Sequence, residues 1–230
     1  MKKIILAILM TFGIFTMVSA DIGVKLGVSA QIGSMETSGS EKNSDGVTPT
    51  QNSQTEEALF GTAGFFIEKD LAFLPGPFGR LSIGYDNIVH DLDLGTQRNP
   101  RQANLGAGGA VAIATDHSVE ASITGFETLY ATINITDWLY VKGGSVTVDV
   151  NTKFNGTETS SYATGHSLDG TVLGFGVEKS SDNGMFFRLE YNDYSIDGKS
   201  VKNAGADSKF TATLNDVSGS TGRISIGKAF

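Results

Sequence analysis

The chain contains no cysteine among its 230 residues, so no disulfide can hold it and no thiolate can act as nucleophile or metal ligand. Proline is scarce at 4 and histidine at 3, which leaves little material for a histidine-rich metal centre. Basic side chains number 17 against 25 acidic ones, a net charge of −8. That balance excludes nucleic acid as a partner, because neutralising phosphates needs a basic face. Past residue 20 there is no long apolar run and no segment of helical period. A membrane role for that part of the chain would have to use β-strands, whose hydropathy signal per segment is weak.

The one apolar run is Ile4–Val18, preceded by Lys2 and Lys3 and followed by Val18-Ser19-Ala20. It is shorter than the roughly 20 residues a spanning helix needs. The basic, apolar, small-residue order is that of a cleaved secretion signal. The expected organisation is therefore a signal peptide over 1–20 and one domain over 21–230. Removing 20 of the 230 residues leaves 210, and losing two lysines shifts the charge to −10.

What the rest of the chain does have is alternation of period two. Ile22, Val24, Leu26, Val28, Ala30 and Ile32 alternate with Gly23, Lys25, Gly27, Ser29 and Gln31. Seven further stretches follow, marked by Leu59/Ala63/Phe65/Ile67, Leu81/Ile83/Tyr85/Val89, Leu129/Ala131/Ile133/Ile135, Leu139/Val141, Leu173/Phe175/Val177, Met185/Phe187/Leu189/Tyr191 and Ile224/Ile226/Phe230. Gly143-Gly144 is expected to bulge the fifth stretch before Val146 and Val148. Glu127 falls on an apolar face, which calls for a bulge at Gly125 or a place above the lipid boundary. Glycine, abundant at 29, recurs throughout these stretches.

The connections alternate strictly between short and long. Asp70–Gly79, Thr136-Asp137 and Ser180–Gly184 are short, whereas Gly33–Glu57, Asp91–Ser118, Asn151–Ser167 and Asp197–Val217 are long and polar. Transmembrane barrels have this asymmetry, with short periplasmic turns and long extracellular loops. The predicted fold is all-β: an eight-stranded antiparallel up-and-down transmembrane β-barrel with four long extracellular loops.

With these features assembled, the chain resembles the small bacterial outer-membrane barrels of the OmpA/OmpX/opacity-protein type, and the surface barrels of alphaproteobacteria. The residues carrying the resemblance are Thr128-Leu129-Tyr130-Ala131-Thr132, Leu139-Tyr140-Val141-Lys142 and Asp182-Asn183-Gly184-Met185-Phe186. It implies a place in the bacterial outer membrane, with lipid and lipopolysaccharide around the wall. It also implies assembly by the barrel-assembly machinery, read from the terminal signal Ile224, Ile226 and Phe230. Lys228 departs from that signal, which has an apolar or aromatic residue two before the final Phe.

In such a barrel the inward faces would carry Lys25, Glu68, Arg80, Asp86, Glu120, Lys142, Asp169, Arg188, Glu190 and Arg223, both signs in similar number. Eight strands enclose an interior just wide enough for side chains to fill, so these charges are expected to pair. Trp138, Tyr140, Tyr191 and Phe230 fall near strand ends, where aromatic girdles lie.

The expected function is non-catalytic and surface-presenting: adhesion, recognition of an extracellular ligand, or envelope integrity. A small porin-like channel is the alternative, and a soluble secreted β-sandwich a second. His90 is expected on an inward face. His117-Ser118 with Glu120, and His166-Ser167 with Asp169, do not make a hydrolase centre, because strand neighbours point to opposite faces. Asp86, Asp91 and Asp93 form a weak divalent-cation candidate without a full oxygen cage. No cofactor is expected.

Overall fold

The computed structural model describes residues 22–43, 54–101, 115–155, 165–202 and 210–230; the expected signal peptide falls outside them. Among the described residues the strands are β1 Val24–Asn43, β2 Gln54–Asp70, β3 Leu81–Ile88, β4 Leu92–Arg101, β5 Thr115–Asn134 and β6 Leu139–Asn155. They continue as β7 Gly165–Ser180, β8 Met185–Ile196, β9 Lys199–Lys202, β10 Phe210–Leu214 and β11 Val217–Ala229. All pairings are antiparallel, and the wall runs β1-β2-β3-β5-β6-β7-β8-β11. It closes where β11 pairs with β1, from Lys25↔Ala229 to Glu36↔Ser218. The fold is thus a closed eight-stranded antiparallel barrel. Ring closure rules out the two packed sheets of a sandwich.

Alternation decides which side chain faces where. In β8 every second residue, from Phe186 to Ile196, is buried, and Met185, Phe187, Leu189 and Tyr191 are exposed. The outward apolar rows expected for β1, β2, β5, β8 and β11 are all found, with Val28, Ile32, Leu59, Leu129 and Ile224 more than half exposed. An outward row of this kind has no counterpart in water, where a strand buries its apolar face.

The strands are longer than their apolar rows. β1 and β5 each span 20 residues. Most of what reads as long loop is strand: β1 continues to Asn43, β2 starts at Gln54, and β9 and β10 occupy parts of the stretch after Asp197. In these extensions the ladder continues although the outward apolar row has ended. The remaining loop residues lie outside the described ones.

Two local expectations are corrected and one is met. The register through Gly143-Gly144 is uninterrupted, so there is no bulge, and Val146 and Val148 face inward, 1% exposed each. A shift in register does occur between Ile123 and Gly125, one of the two outcomes Glu127 called for; Glu127 itself is exposed with the parity of Leu129, and Ile123 beyond the shift is buried. The third wall strand breaks at Val89–Asp91, so His90 is exposed rather than inward. There its Nε2 accepts from the Ala63 N–H at 3.0 Å, supplying an acceptor where the β2–β3 ladder stops at Gly64↔Ile88.

The short connections are Leu71–Arg80, which includes a 3₁₀ turn at Gly76–Arg80, then residues 135–138 and 181–184. Gly184 turns the last with φ +81°, a conformation costly for residues with a Cβ.

Two inward glycines make room for aromatic rings. A Cβ on Gly84 would lie 2.3 Å from the Tyr130 ring, and one on Gly176 would lie 2.4 Å from the Tyr140 hydroxyl. Gly176→Val is expected to cost about 1–3 kcal/mol by overpacking. Gly143→Val, where a Cβ meets only Leu173 at 3.6 Å, is expected to be near neutral. Urea titration of the vesicle-inserted barrel, followed by gel mobility, checks both.

Candidate functional site: the barrel interior and its outer belt

The lower half of the interior is a network of buried ions. Arg188 is its hub. Its Nη1 and Nη2 donate to the two oxygens of Glu68 at 2.9 and 2.7 Å, and its Nε donates to Glu178 at 2.5 Å. Its guanidinium also sits 5.1–5.3 Å from the ring centres of Phe186, Phe66 and Tyr140. A planar fork that is weakly hydrated suits such a carboxylate-and-aromatic cage better than an ammonium would.

A second group gathers round Glu190. Tyr140 donates to it at 2.6 Å, Lys142 at 2.9 Å and Asn192 at 2.8 Å. Arg223 pairs with Asp86 and reaches Glu190 at 3.8 Å. Tyr130 ties the groups together by donating to Glu68 at 3.1 Å, while Lys142 lies 4.4 Å from its ring centre. Lys25 closes the lower end, 3.1 Å from Glu178 and 3.8 Å from both Glu68 and Asp70. A carboxylate out of water is tolerated only when its oxygens are met in this way.

Above this network the interior turns apolar. Met35, Leu92, Ile123, Phe126, Val146, Val148, Leu168, Val172, Tyr194 and Ile196 form one buried cluster. Phe126 and Tyr194 meet edge to face at 5.5 Å. Between the two layers, against Asp86, Phe126, Tyr194 and Arg223, lies a cavity of about 10 Å³, the scale of one water molecule.

The charges expected inside do not all meet. Lys25, Glu68, Asp86, Lys142, Arg188, Glu190 and Arg223 converge as described. Arg80 is exposed at the lower rim, where its guanidinium donates to the Ile135 carbonyl at 3.3 Å. Asp169 is exposed too, because it has the parity of Leu173 and the register between them is unbroken; it accepts from Thr147 at 3.3 Å. Glu120 lies on β5 opposite Thr96 and Lys153 in register, outside the described side chains. Tyr140 is 2% exposed and belongs to the interior, not to a girdle. Asp70, Glu178 and Tyr130 are members that sequence reasoning did not single out as part of the charge set, although all three share the inward parity of their strands.

Asp86 is occupied by Arg223 and Asp91 is exposed at the strand break, so the cation candidate does not assemble from these two; the Asp93 side chain lies outside the described ones. Among the described residues no group of three His, Asp or Glu side chains is placed to hold a metal ion. His166 is half-buried and Ser167 exposed, on opposite faces.

The outer face is a belt with a sharp upper limit. Its rows run Ile135, Ile133, Ala131, Leu129 on β5 and its turn, Val177, Phe175, Leu173 on β7, and Met185, Phe187, Leu189, Tyr191 on β8. They give way to exposed Glu127, Asp169 and Asp193. Phe175 and Tyr191 pair across strands at 5.6 Å, and Trp138 is exposed on the lower turn. Ile224 and Ile226 face outward, with Lys228 beside the Phe230 ring at 5.4 Å. The Phe230 N–H donates to the Val24 carbonyl at 2.8 Å, extending the closing ladder.

Arg188→Met leaves Glu68 and Glu178 buried without their main partner and is expected to cost about 3–5 kcal/mol. The double change Glu68→Leu with Arg188→Met is expected to recover part of that loss, because no unpaired charge remains at the Glu68 position. Urea midpoints of the two inserted variants against the unmodified chain give the comparison.

No protein-family model and no curated protein matches the sequence. In structure the chain is similar to the outer-membrane protease OmpT from Escherichia coli, with a TM-score of 0.53 over 94% of this chain and 99% of that one, at 8% identity. Neisserial surface protein A aligns at a TM-score of 0.40 over 90% and 97%, at 9% identity. OprG from Pseudomonas aeruginosa aligns at 0.40 over 91% and 97%, at 10% identity. The first of these likenesses bears on the fold alone: this chain folds as an outer-membrane type of β-barrel.

Proposed function

We propose that the protein is a non-catalytic barrel of the bacterial outer membrane whose work is done on its outer surfaces. The observation that carries this reading is the pairing of two features in one wall. An apolar belt faces outward, and the interior is filled by paired ions below and an apolar cluster above. Only a closed sheet leaves no backbone group unpaired in hydrocarbon. A filled lumen directs function to the strand extensions and loops that rise above the belt. Adhesion, recognition of an extracellular ligand and envelope integrity are the roles that such a surface supports. Lipopolysaccharide would surround the upper wall, and the barrel-assembly machinery would read the Ile224, Ile226, Phe230 strand. A resemblance to the OmpA/OmpX/opacity type agrees with this reading.

Two measurements test it. The protein is expected in the outer-membrane fraction after carbonate wash, with different gel mobility before and after boiling. In planar bilayers it is expected to remain silent at high protein load. Stable single-channel steps would replace this reading with the porin-like one, and recovery in the soluble fraction without a mobility shift would remove both.

A further inference from the structure

The apolar belt is not equally tall around the barrel. On β1 the outward row from Val24 to Ile32 covers eight residue steps. At about 3.4 Å per step and a tilt of about 40° that is roughly 21 Å of height. On β5 the row from Ile135 to Leu129 covers six steps before Glu127 ends it, which is roughly 16 Å by the same geometry. On neighbouring β3 the row is cut short by Asn87. The apolar band of such barrels is about 25 Å tall, so the outward rows of β3 and β5 fall short of it.

Below the β2–β3 hairpin hangs a connection unlike the others. Residues 71–79 read Leu-Ala-Phe-Leu-Pro-Gly-Pro-Phe-Gly, without a charge or a side-chain hydrogen-bonding group. Phe73 is 74% and Phe78 58% exposed, and no residue of the 3₁₀ turn is buried. The shape is held by Leu71 N–H to the Leu81 carbonyl at 2.8 Å and Leu74 N–H to the Leu71 carbonyl at 2.9 Å. Arg80 fastens it to the next turn through the Ile135 carbonyl, beside exposed Ile135 and Trp138. The other short turn, Ser181-Asp182-Asn183-Gly184, is wholly polar, so apolar character is not general at this end.

We propose that the Leu71–Arg80 connection, with Trp138 beside it, is a lipid-seated foot. It enters the phospholipid of the periplasmic leaflet and extends the belt downward where the strands fall short. Its occupant is phospholipid, because the patch is continuous with the outward rows of β3 and β5 through Leu81, Ile83, Ile133 and Ile135. The two prolines and the 3₁₀ turn satisfy the local backbone with few free donors, as entry into the interfacial region requires. A hydrophobic surface shorter than the bilayer otherwise forces local thinning. This inference rests on the membrane-spanning reading above.

Trp138 is the only tryptophan, so fluorescence reports one site at a time. The unmodified chain and a Phe73→Trp/Trp138→Phe variant are refolded into phosphatidylcholine vesicles. The lipid is brominated either near the headgroup or near the chain end. Flotation with the vesicles and boiling-dependent gel mobility certify insertion. Both tryptophans are expected to lose most of their emission to headgroup-proximal bromine, less to chain-end bromine, and little to aqueous iodide. Strong iodide quenching without bromine quenching, in a barrel that floats and shifts, overturns the foot and assigns Phe73 and Phe78 to a water-exposed, protein-docking role. Failure to float or shift overturns the membrane reading itself, and the foot with it. If the double variant does not refold, Trp138 in the unmodified chain decides the matter alone.

Discussion

Every backbone N–H and C=O that enters hydrocarbon must find its partner within the protein. Here that demand is met by the seam between β11 and β1, paired from Lys25↔Ala229 to Glu36↔Ser218. Without that seam two sheet edges would be left unpaired. With it, the strand period of two sorts the side chains into an outward, largely apolar set and an inward set that meets only itself. The outward rows and the inward charges of β1, β2 and β8 are consequences of the same closure.

An interior of eight strands leaves space for side chains and little else. The chain fills it in two ways. Below, Arg188 is held by Glu68 and Glu178 and walled by Phe66, Phe186 and Tyr140, while Glu190 is met by Tyr140, Lys142 and Asn192. Such pairs add little net stability over apolar packing, since desolvation offsets their attraction, but an unmatched member is expensive. Above, the apolar cluster around Val146, Val148 and Val172 needs no such matching. The glycines opposite Tyr130 and Tyr140 connect the backbone to this arrangement by letting each ring lie close to the wall.

With the interior packed by its own side chains, the described wall is bounded by two distinct outer limits. At the upper limit of the belt exposed carboxylates replace apolar residues. At the lower limit an apolar, proline-containing turn sits below the outward rows of β3 and β5. Neither limit involves the buried ions.

Alternation is a local property, which is why eight wall strands, their outward rows and the antiparallel hairpins were legible in the residues themselves. Glu127 on an apolar row pointed to the irregularity that the register places between Ile123 and Gly125. The same rule misled at Val146 and Val148, since apolar residues were read as lipid-facing and a bulge was needed to keep them so. At Asp169 the rule held and charge was the wrong guide: its parity with Leu173 puts it outside. The sequence alone determined the period, the strand count and the inward parity of most charges, because these depend on neighbours two positions apart. Only the tertiary structure decided that Arg188 meets Glu68, 120 positions away, and that the interior changes from ionic to apolar along its height. Those outcomes depend on register and strand stagger around the ring, which no single strand encodes.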